Sequence, residues 1–103
     1  LGAARAYLLE TLDDVYHRAE PSTPIEVADR ARIRLAASHA IHAAMAVADQ
    51  THKACGVDGI FPGSPFERRF RDMHTLSQQI QARDSHYESI GRVLLGEPPP
   101  VFL

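Results

Sequence analysis

The sequence has one cysteine, no tryptophan and a small net charge. The single cysteine excludes an internal disulfide, and the small charge argues against strongly charged partners. Cys55 has no internal disulfide partner, which agrees with a reducing, cytoplasmic location. A formal net charge of -2 gives no strong attraction to nucleic acid or to an anionic membrane surface. The longest uncharged apolar run, Leu35 to Ala48, has 14 residues, whereas a membrane-spanning helix needs about 20. We therefore expect neither a nucleic-acid partner nor a membrane anchor.

The sequence also lacks the alternating apolar pattern of strands, internal repeats and low-complexity tracts. Helical periodicity predicts an all-α fold, an incomplete up-down bundle of three main helices plus a short C-terminal one. Residues 1–96 form this bundle, and the three prolines that follow Glu97 predict an extended tail over residues 97–103. The predicted helices cover about residues 2–18, 24–54, 65–82 and 86–95.

Local signals mark where these helices begin and end. Gly56 is suited to a left-handed helix end, and the last helix is predicted to end at Gly96. The first helix is predicted to bury one side, formed by Ala4, Leu8, Leu12, Val15 and Tyr16. Helix starts with a capping Ser or Thr and a glutamate three residues later are predicted at Thr23-Pro24-Ile25-Glu26, Ser64-Pro65-Phe66-Glu67 and Ser85-His86-Tyr87-Glu88.

The second helix is the predicted spine of the chain. It contains ten alanines, which favour helix and let neighbouring helices approach closely. After Leu35 its apolar surface covers most of the circumference, so it needs burial on several sides. Because three short helices can hardly cover it, we expect self-association as a homodimer or homotetramer.

The six histidines do not form a metal-binding pattern. A di-iron bundle needs Glu-x-x-His pairs, which this chain lacks, and His39 and His42 share a helical face without a third ligand. We expect no metal. Cys55 precedes a helix end, where the dipole disfavours a thiolate, so it is interpreted as a small filler.

The third helix carries a narrow apolar stripe and a charged outer surface. Its arginines could bind phosphate, although charges on an exposed helix more often serve solvation and salt bridges. The residues Gly56-Val57-Asp58-Gly59 follow a helix rather than a strand, which is untypical of a phosphate-binding glycine loop. The apolar stripe consists of Phe66, Phe70, Met73, Ser77 and Ile80.

Four collinear segments carry a more specific signal. Residues 54–61 resemble a family pattern Ala-Ala-Gly-Gly-Ser-x-Ile-Tyr, and residues 64–74 resemble Ser-Pro-Leu-Gln-Arg-x-Phe-Arg-Asp-x-His. Residues 87–96 resemble Tyr-Glu-x-x-Gly-Arg-x-x-Leu-Gly, and residues 28–40 resemble the long bundle helix. The chain thus resembles the C-terminal domain of acyl-CoA dehydrogenase-fold enzymes, and among them the two-component flavin-dependent monooxygenases that hydroxylate phenols and polycyclic aromatics.

The resemblance implies a larger subunit with a helical N-terminal domain, a β domain and a C-terminal four-helix bundle, usually assembled as a homotetramer. The chain is expected to begin at the second bundle helix, without the first bundle helix and the preceding domains. Flavin would lie between the β domain and the bundle, as reduced FMN or FAD supplied by a separate flavin reductase. We expect this chain alone to be inactive and to bind no flavin.

By the same resemblance, the loop after the spine and the start of the third helix approach flavin. Val57 departs from the family by replacing a second glycine. Gln79 takes the position of a histidine that relatives often place near flavin, so it is the candidate catalytic position. Asp72 is a candidate for holding one of the arginines. The candidate cofactor-binding residues are Gly56, Val57, Ile60, Phe61, Arg68 and Arg71.

Two alternatives remain open. An acyl-CoA dehydrogenase would use tightly bound FAD and a glutamate base, but the matching helical region has no carboxylate that clearly fits this role. A non-catalytic helical oligomerisation module would keep the fold without the chemistry. A reading frame extending far upstream would favour an enzyme, and a start codon just before Leu1 would favour the module.

Overall fold

The computed structural model describes residues 1–101 and 103, and these residues form helices and no strand. The all-α prediction is therefore confirmed for the described part of the chain. Two one-turn 3-10 helices, Gly56–Ile60 and Ile80–Ala82, interrupt the connections. The α-helices are α1 (Gly2–Arg18), α2 (Val27–Ala54), α3 (Pro65–Ser77) and α4 (Ser85–Leu94).

The long helix α2 is the centre of the molecule, and α1, α3 and α4 each pack against it. Helix α1 runs antiparallel to α2, because Tyr7 meets His39 near one end and Arg18 meets Asp29 near the other. Helices α3 and α4 follow one another along α2 in the opposite direction to it. The result is an elongated body of 52 × 26 × 21 Å.

Helix α1 has the predicted bounds and buries part of the predicted side. Ala4, Thr11 and Val15 are buried, whereas Leu12 is 40% and Tyr16 78% exposed. A residue adjacent to a buried one points about 100° away on a helix, so Tyr16 cannot share the orientation of Val15. The predicted placement of Leu12 and Tyr16 in the buried stripe is wrong.

Helix α2 begins later than predicted. It starts at Val27 after Glu26, which makes no side-chain cap, so the predicted capping box from Thr23 is wrong. The Thr23 N–H instead donates to the Glu20 carbonyl (3.2 Å), and Ser22 adopts a left-handed φ of 71°. Thr23 therefore lies in the turn before α2, three residues ahead of Glu26, the residue that precedes the helix.

A four-charge network joins the end of α1 to the start of α2. Arg18 contacts Asp14 at 3.0 Å and Asp29 at 2.7 Å, and Arg32 contacts the same carboxylates at 2.8 and 3.3 Å. Hydrogen bonds from Arg18, then from Arg32, lower the pKa of Asp14 to about 2. The same partners lower the pKa of Asp29, chiefly through Arg18. The network fixes the first turn of α2, where Asp29 also faces the positive helix end.

Helix α3 begins as predicted and ends early. Ser64 Oγ accepts the Phe66 N–H at 3.2 Å, with Pro65 in the first turn. The helix stops at Ser77, so the prediction that it reaches residue 82 is wrong, and Ile80 lies outside its stripe. Ser77 Oγ donates to the His74 carbonyl at 2.7 Å, and such back-bonding competes with the helix ladder.

Helix α4 ends as predicted but starts without a cap. Asp84 precedes it and Ser85 lies inside its first turn, so the predicted Ser85 cap is wrong. At its other end the Gly96 N–H donates to Val93 and the Glu97 N–H donates to Arg92, both at 3.0 Å, with a φ of 90° at Gly96. These bonds form a Schellman motif.

The tail returns to the spine. Arg30 donates from Nε and Nη2 to the Leu103 carbonyl oxygen, at 3.3 and 2.9 Å. Phe102, part of the predicted extended tail, lies outside the described residues. The division into a bundle over residues 1–96 and a tail over residues 97–103 remains a prediction.

Much of the α2 surface remains uncovered. Between residues 35 and 48 only Ala36 and Ser38 are buried, and Val47 is 37% exposed. Near Leu1, an apolar groove of about 420 Å³ is lined by Val47, Phe66 and Met73 among others. Among the described residues, none of the helices is long and apolar enough to cross a membrane.

Candidate cofactor-facing surface

The loop after α2 presents apolar side chains to the outside. Gly56 adopts the predicted left-handed conformation (φ 58°), and a Cβ there would meet no atom within 4 Å. The following 3-10 turn packs against α2 and α3. Val57, Ile60 and Phe61 are 70, 66 and 57% exposed. The loop therefore combines an apolar surface with an open position beside the backbone of Gly56.

The two candidate arginines lie on α3 and are each paired one turn away. Arg68 Nε lies 3.6 Å from Asp72 Oδ2, and Arg71 Nε lies 3.5 Å from Glu67 Oε1. Asp72 is thus beside Arg68, as the sequence suggested. A guanidinium has five N–H donors, so one carboxylate leaves several free to bind a phosphate. Arg68 and Arg71 remain largely exposed.

Sequence reasoning did not identify a ring cluster that supports this surface. His52 stacks on Phe70 at a centroid distance of 4.1 Å, and Phe70 packs on His74 at 4.4 Å. The His52 Nε2–H donates to the Gly59 carbonyl at 3.0 Å, and His74 Nε2 lies 2.8 Å from Asp49 Oδ1. The last turns of α2 thereby hold both the loop and α3.

The signal in the sequence for this cluster was the spacing of its residues along two helices. Asp49 and His52 lie three residues apart on one helix, and Phe70 and His74 lie four apart on another, so each pair shares a face. The sequence could not show that the two faces meet. In the structure, Arg71 and His74 line one open groove with Glu67 and Gln78.

Gln79 is not on α3, contrary to the sequence prediction. It lies in the α3–α4 connection, residues 78–84, with an extended backbone (φ -67°, ψ 150°) and an exposed side chain. This connection packs against α2 through the 3-10 turn that begins at Ile80. The structure therefore brings the loop and the arginine helix together, and places Gln79 in a separate segment.

The histidines act mainly through hydrogen bonds to backbone. His42 contacts Ala82, His86 contacts Ile80 and His17 contacts Asp13, in each case at the carbonyl oxygen. Over residues 1–101 and 103 there is no group of three or more His, Cys, Asp or Glu side chains that could hold a metal. Cys55 is half-buried.

A long alanine-rich helix against which three shorter helices pack, with part of its apolar surface uncovered, defines an open helical-bundle domain. Residues 1–83 match the family described as "Acyl-CoA dehydrogenase, C-terminal domain". The chain belongs to this family, which confirms the family identified from the sequence.

One relative supports the same placement. The chain is 27% identical over 99 residues to the indole-3-acetate monooxygenase of Pseudomonas putida. That alignment covers 96% of this chain and 25% of the relative, so the chain spans a quarter of the length of the protein it matches.

Proposed function

We propose that this chain is part of a flavin-dependent monooxygenase that hydroxylates an aromatic or polycyclic substrate with reduced flavin and O₂. The observation that carries the proposal is the family membership together with near-complete coverage of the chain by a monooxygenase relative. Reduced FMN or FAD would come from a separate flavin reductase. The reduced flavin would supply the two electrons for the reaction with O₂, and the residues of this chain would bind and orient it.

The residues on the surface fit such a group. A flavin nucleotide has a flat ring and at least one phosphate. Val57, Ile60 and Phe61 provide exposed apolar contacts for the ring, and Gly56 leaves space for close approach. Arg68 and Arg71 provide guanidinium donors for the phosphate, oriented by Asp72 and Glu67. His52 holds the loop through Gly59, which fixes the apolar surface relative to α3.

Gln79 would act by hydrogen bonding rather than by proton exchange. Its amide both donates and accepts, but it does not titrate near neutral pH as a histidine does. We therefore propose that it orients flavin or substrate, and that a proton-exchanging group comes from elsewhere.

Self-association is proposed for the same protein. The incompletely covered surface of α2 and the apolar groove near Leu1 would be buried against a second copy of the chain. A homodimer or homotetramer follows, and sedimentation of the intact protein tests it. A monomer at tens of micromolar would contradict it.

The reaction is tested on the full-length protein with reduced FMN or FAD, ¹⁸O₂ and a panel of aromatic acids that includes indole-3-acetate. We expect one labelled oxygen atom in the product. Dehydrogenation of an acyl-CoA without incorporation of label would instead favour the acyl-CoA dehydrogenase alternative. Absence of both reactions would favour the oligomerisation module.

The binding surface is tested with two single substitutions, Arg68→Ala and Arg71→Ala. Each is expected to weaken binding of the reduced flavin about tenfold or more, because a charge-assisted hydrogen bond contributes about 1.5–3 kcal/mol. The matched control is Arg69→Ala, because Arg69 lines the apolar groove instead. Equal effects of all three substitutions would indicate a general charge effect and count against a specific phosphate site.

A further inference from the structure

The α3–α4 connection has a defined path although it contains no glycine or proline. Residues 78–84 read Gln-Gln-Ile-Gln-Ala-Arg-Asp and contain neither glycine nor proline. Its backbone nevertheless makes a regular series of bonds. The Gln79 N–H donates to the Leu76 carbonyl at 3.0 Å, and the Ala82 N–H donates to the Gln79 carbonyl at 3.0 Å.

The first long-range support for this connection comes from the long helix α2. His42 Nε2 lies 3.0 Å from the Ala82 carbonyl oxygen and 3.4 Å from Asp84 Oδ1. The Tyr87 ring meets the imidazole in an edge contact at 5.5 Å. Because a carbonyl oxygen only accepts, Nε2 of His42 carries the proton. Ala82 itself is buried, so this bond is made at the inner side of the connection.

The second support comes from α4. His86 is buried, and its Nε2 lies 2.6 Å from the Ile80 carbonyl oxygen. Two imidazoles on two different helices thus donate to the carbonyls of Ile80 and Ala82, immediately after Gln79. The side chain of Gln79 is exposed while the backbone on both sides of it is bonded.

We propose that His42 and His86 are positioning residues that fix where the segment between α3 and α4 presents Gln79. This inference rests on the proposed function for its consequence in the reaction. Both imidazoles use their Nε2–H groups on backbone carbonyls, so these two donors act on the position of the segment that carries Gln79. A fixed amide at position 79 is needed if it is to orient a reacting group, because small displacements of such groups are costly in rate.

The test measures the mobility of position 79 directly. A nitroxide is attached at Gln79→Cys in the full-length protein, with Cys55→Ser and any other reactive cysteine removed. His42→Phe and His86→Phe keep a ring but lack the donor, whereas His42→Gln and His86→Gln keep an N–H donor near the place of Nε2. We expect at least a twofold faster label motion in each Phe variant and recovery in the matched Gln variant. A label at the exposed Glu10 of α1, introduced as Glu10→Cys, is expected to be unaffected.

The second readout is the ratio of hydroxylated product to reduced flavin consumed, measured without the label. We expect this coupling ratio to fall at least threefold in the Phe variants, with unchanged affinity for reduced flavin and recovery by Gln. Unchanged label motion in the Phe variants, or Gln variants as mobile as Phe variants, would overturn the proposal.

A mobile label with an unchanged coupling ratio would overturn the positioning role, even though the imidazoles hold the segment. If the unsubstituted protein does not hydroxylate any substrate, the proposed function fails and the consequence for the reaction fails with it. The label motion then still decides whether His42 and His86 fix the segment, so the two failures are distinguishable.

Discussion

The connection that precedes α3 contains Gly56, Pro62 and Gly63 and ends at the Ser64 cap, whereas the connection that follows α3 contains no glycine or proline. In the first connection, the left-handed Gly56 and the capping Ser64 impose the chain reversal locally. In the second, His42 and His86 impose the path through bonds to Ala82 and Ile80. The first connection is encoded mainly in its own residues, with one added support from His52 of α2 to Gly59, whereas the second depends on residues of two helices.

The difference has a consequence for stability. A locally encoded turn keeps its conformational preference even when neighbouring helices loosen. A connection held by distant side chains depends on the packing that brings these side chains to it. The α3–α4 connection should therefore respond to damage in the helix core, and the α2–α3 connection should respond to changes in its own residues.

The largest effect is expected from loss of the α4 core. Ile90 is 2% exposed. Ile90→Ala should destabilise the packing of α4 by about 2–5 kcal/mol, and the conservative control Ile90→Val by about 0.5–1.5 kcal/mol. Hydrogen exchange of the intact Ile90→Ala variant, compared with the unsubstituted protein, should show a larger increase in exchange rate at residues 79–83 than at residues 56–61. An equal increase in both connections would contradict the comparison.

A smaller effect is expected from filling the space at Gly59. A Cβ there would lie 3.0 Å from the His52 ring and 3.3 Å from the His52 carbonyl oxygen. Gly59→Ala should displace the ring, weaken its stacking on Phe70 and cost about 1–3 kcal/mol by overpacking. At Gly63 a Cβ would meet nothing within 4 Å, so Gly63→Ala is the control. Hydrogen exchange of the loop amides, residues 56–61, measures the effect. Equal exchange rates of these amides in the Gly59→Ala and Gly63→Ala variants would indicate that His52 does not hold the loop.

The third prediction compares the three proposed helix caps. Only Ser64 makes the capping hydrogen bond, so Ser64→Ala should lower the local opening free energy of the first turn of α3 by about 1 kcal/mol. Thr23→Ala and Ser85→Ala should each change the local opening free energy of the first turn of the following helix by less than about 0.5 kcal/mol. Amide exchange in the first turn of each helix measures this. A loss at Thr23 equal to that at Ser64 would show that the start of α2 is misassigned.

The smallest effect concerns the α1–α2 connection, which is held by exposed charges. The pKa of Asp14 in the folded state is about 2, below its ordinary 3.8. The stabilisation is therefore complete above the ordinary value and is lost as the pH falls towards 2. A carboxyl chemical-shift titration should give this low midpoint, and Arg32→Gln should raise it without removing the contribution of Arg18. A midpoint near 3.8 in the unsubstituted protein would contradict the network.

The sequence predicted those features that depend on a few neighbouring residues. The bounds of α1, the left-handed conformation at Gly56, the cap at Ser64 and the end of α4 at Gly96 are all present. The sequence-based prediction failed where a local signal was overridden by a stronger interaction with residues elsewhere in the chain. Thr23 has cap chemistry but is used in the turn before α2, whose first residues are fixed by Arg18.

The candidate site divides in the same way. The loop and the arginines of α3 were identified by their resemblance to a family pattern, and the structure places the loop against α3. The early end of α3 could not be predicted, because no residue between Ser77 and Asp84 breaks a helix. The cluster of His52, Phe70 and His74 requires two helices to meet, which helical spacing alone does not show. The roles of Gln79, Arg68 and Arg71 toward flavin remain predictions.

The imidazole–carbonyl bonds at Ile80 and Ala82 have a further consequence for acid–base behaviour. In each bond the Nε2–H group is the donor, and a histidine keeps this proton whether its ring is neutral or cationic. Taking up a second proton at Nδ1 leaves the donor in place. The segment that carries Gln79 is therefore held by a donor that the neutral and the cationic ring share, and Asp84 Oδ1 lies 3.4 Å from the same Nε2 of His42.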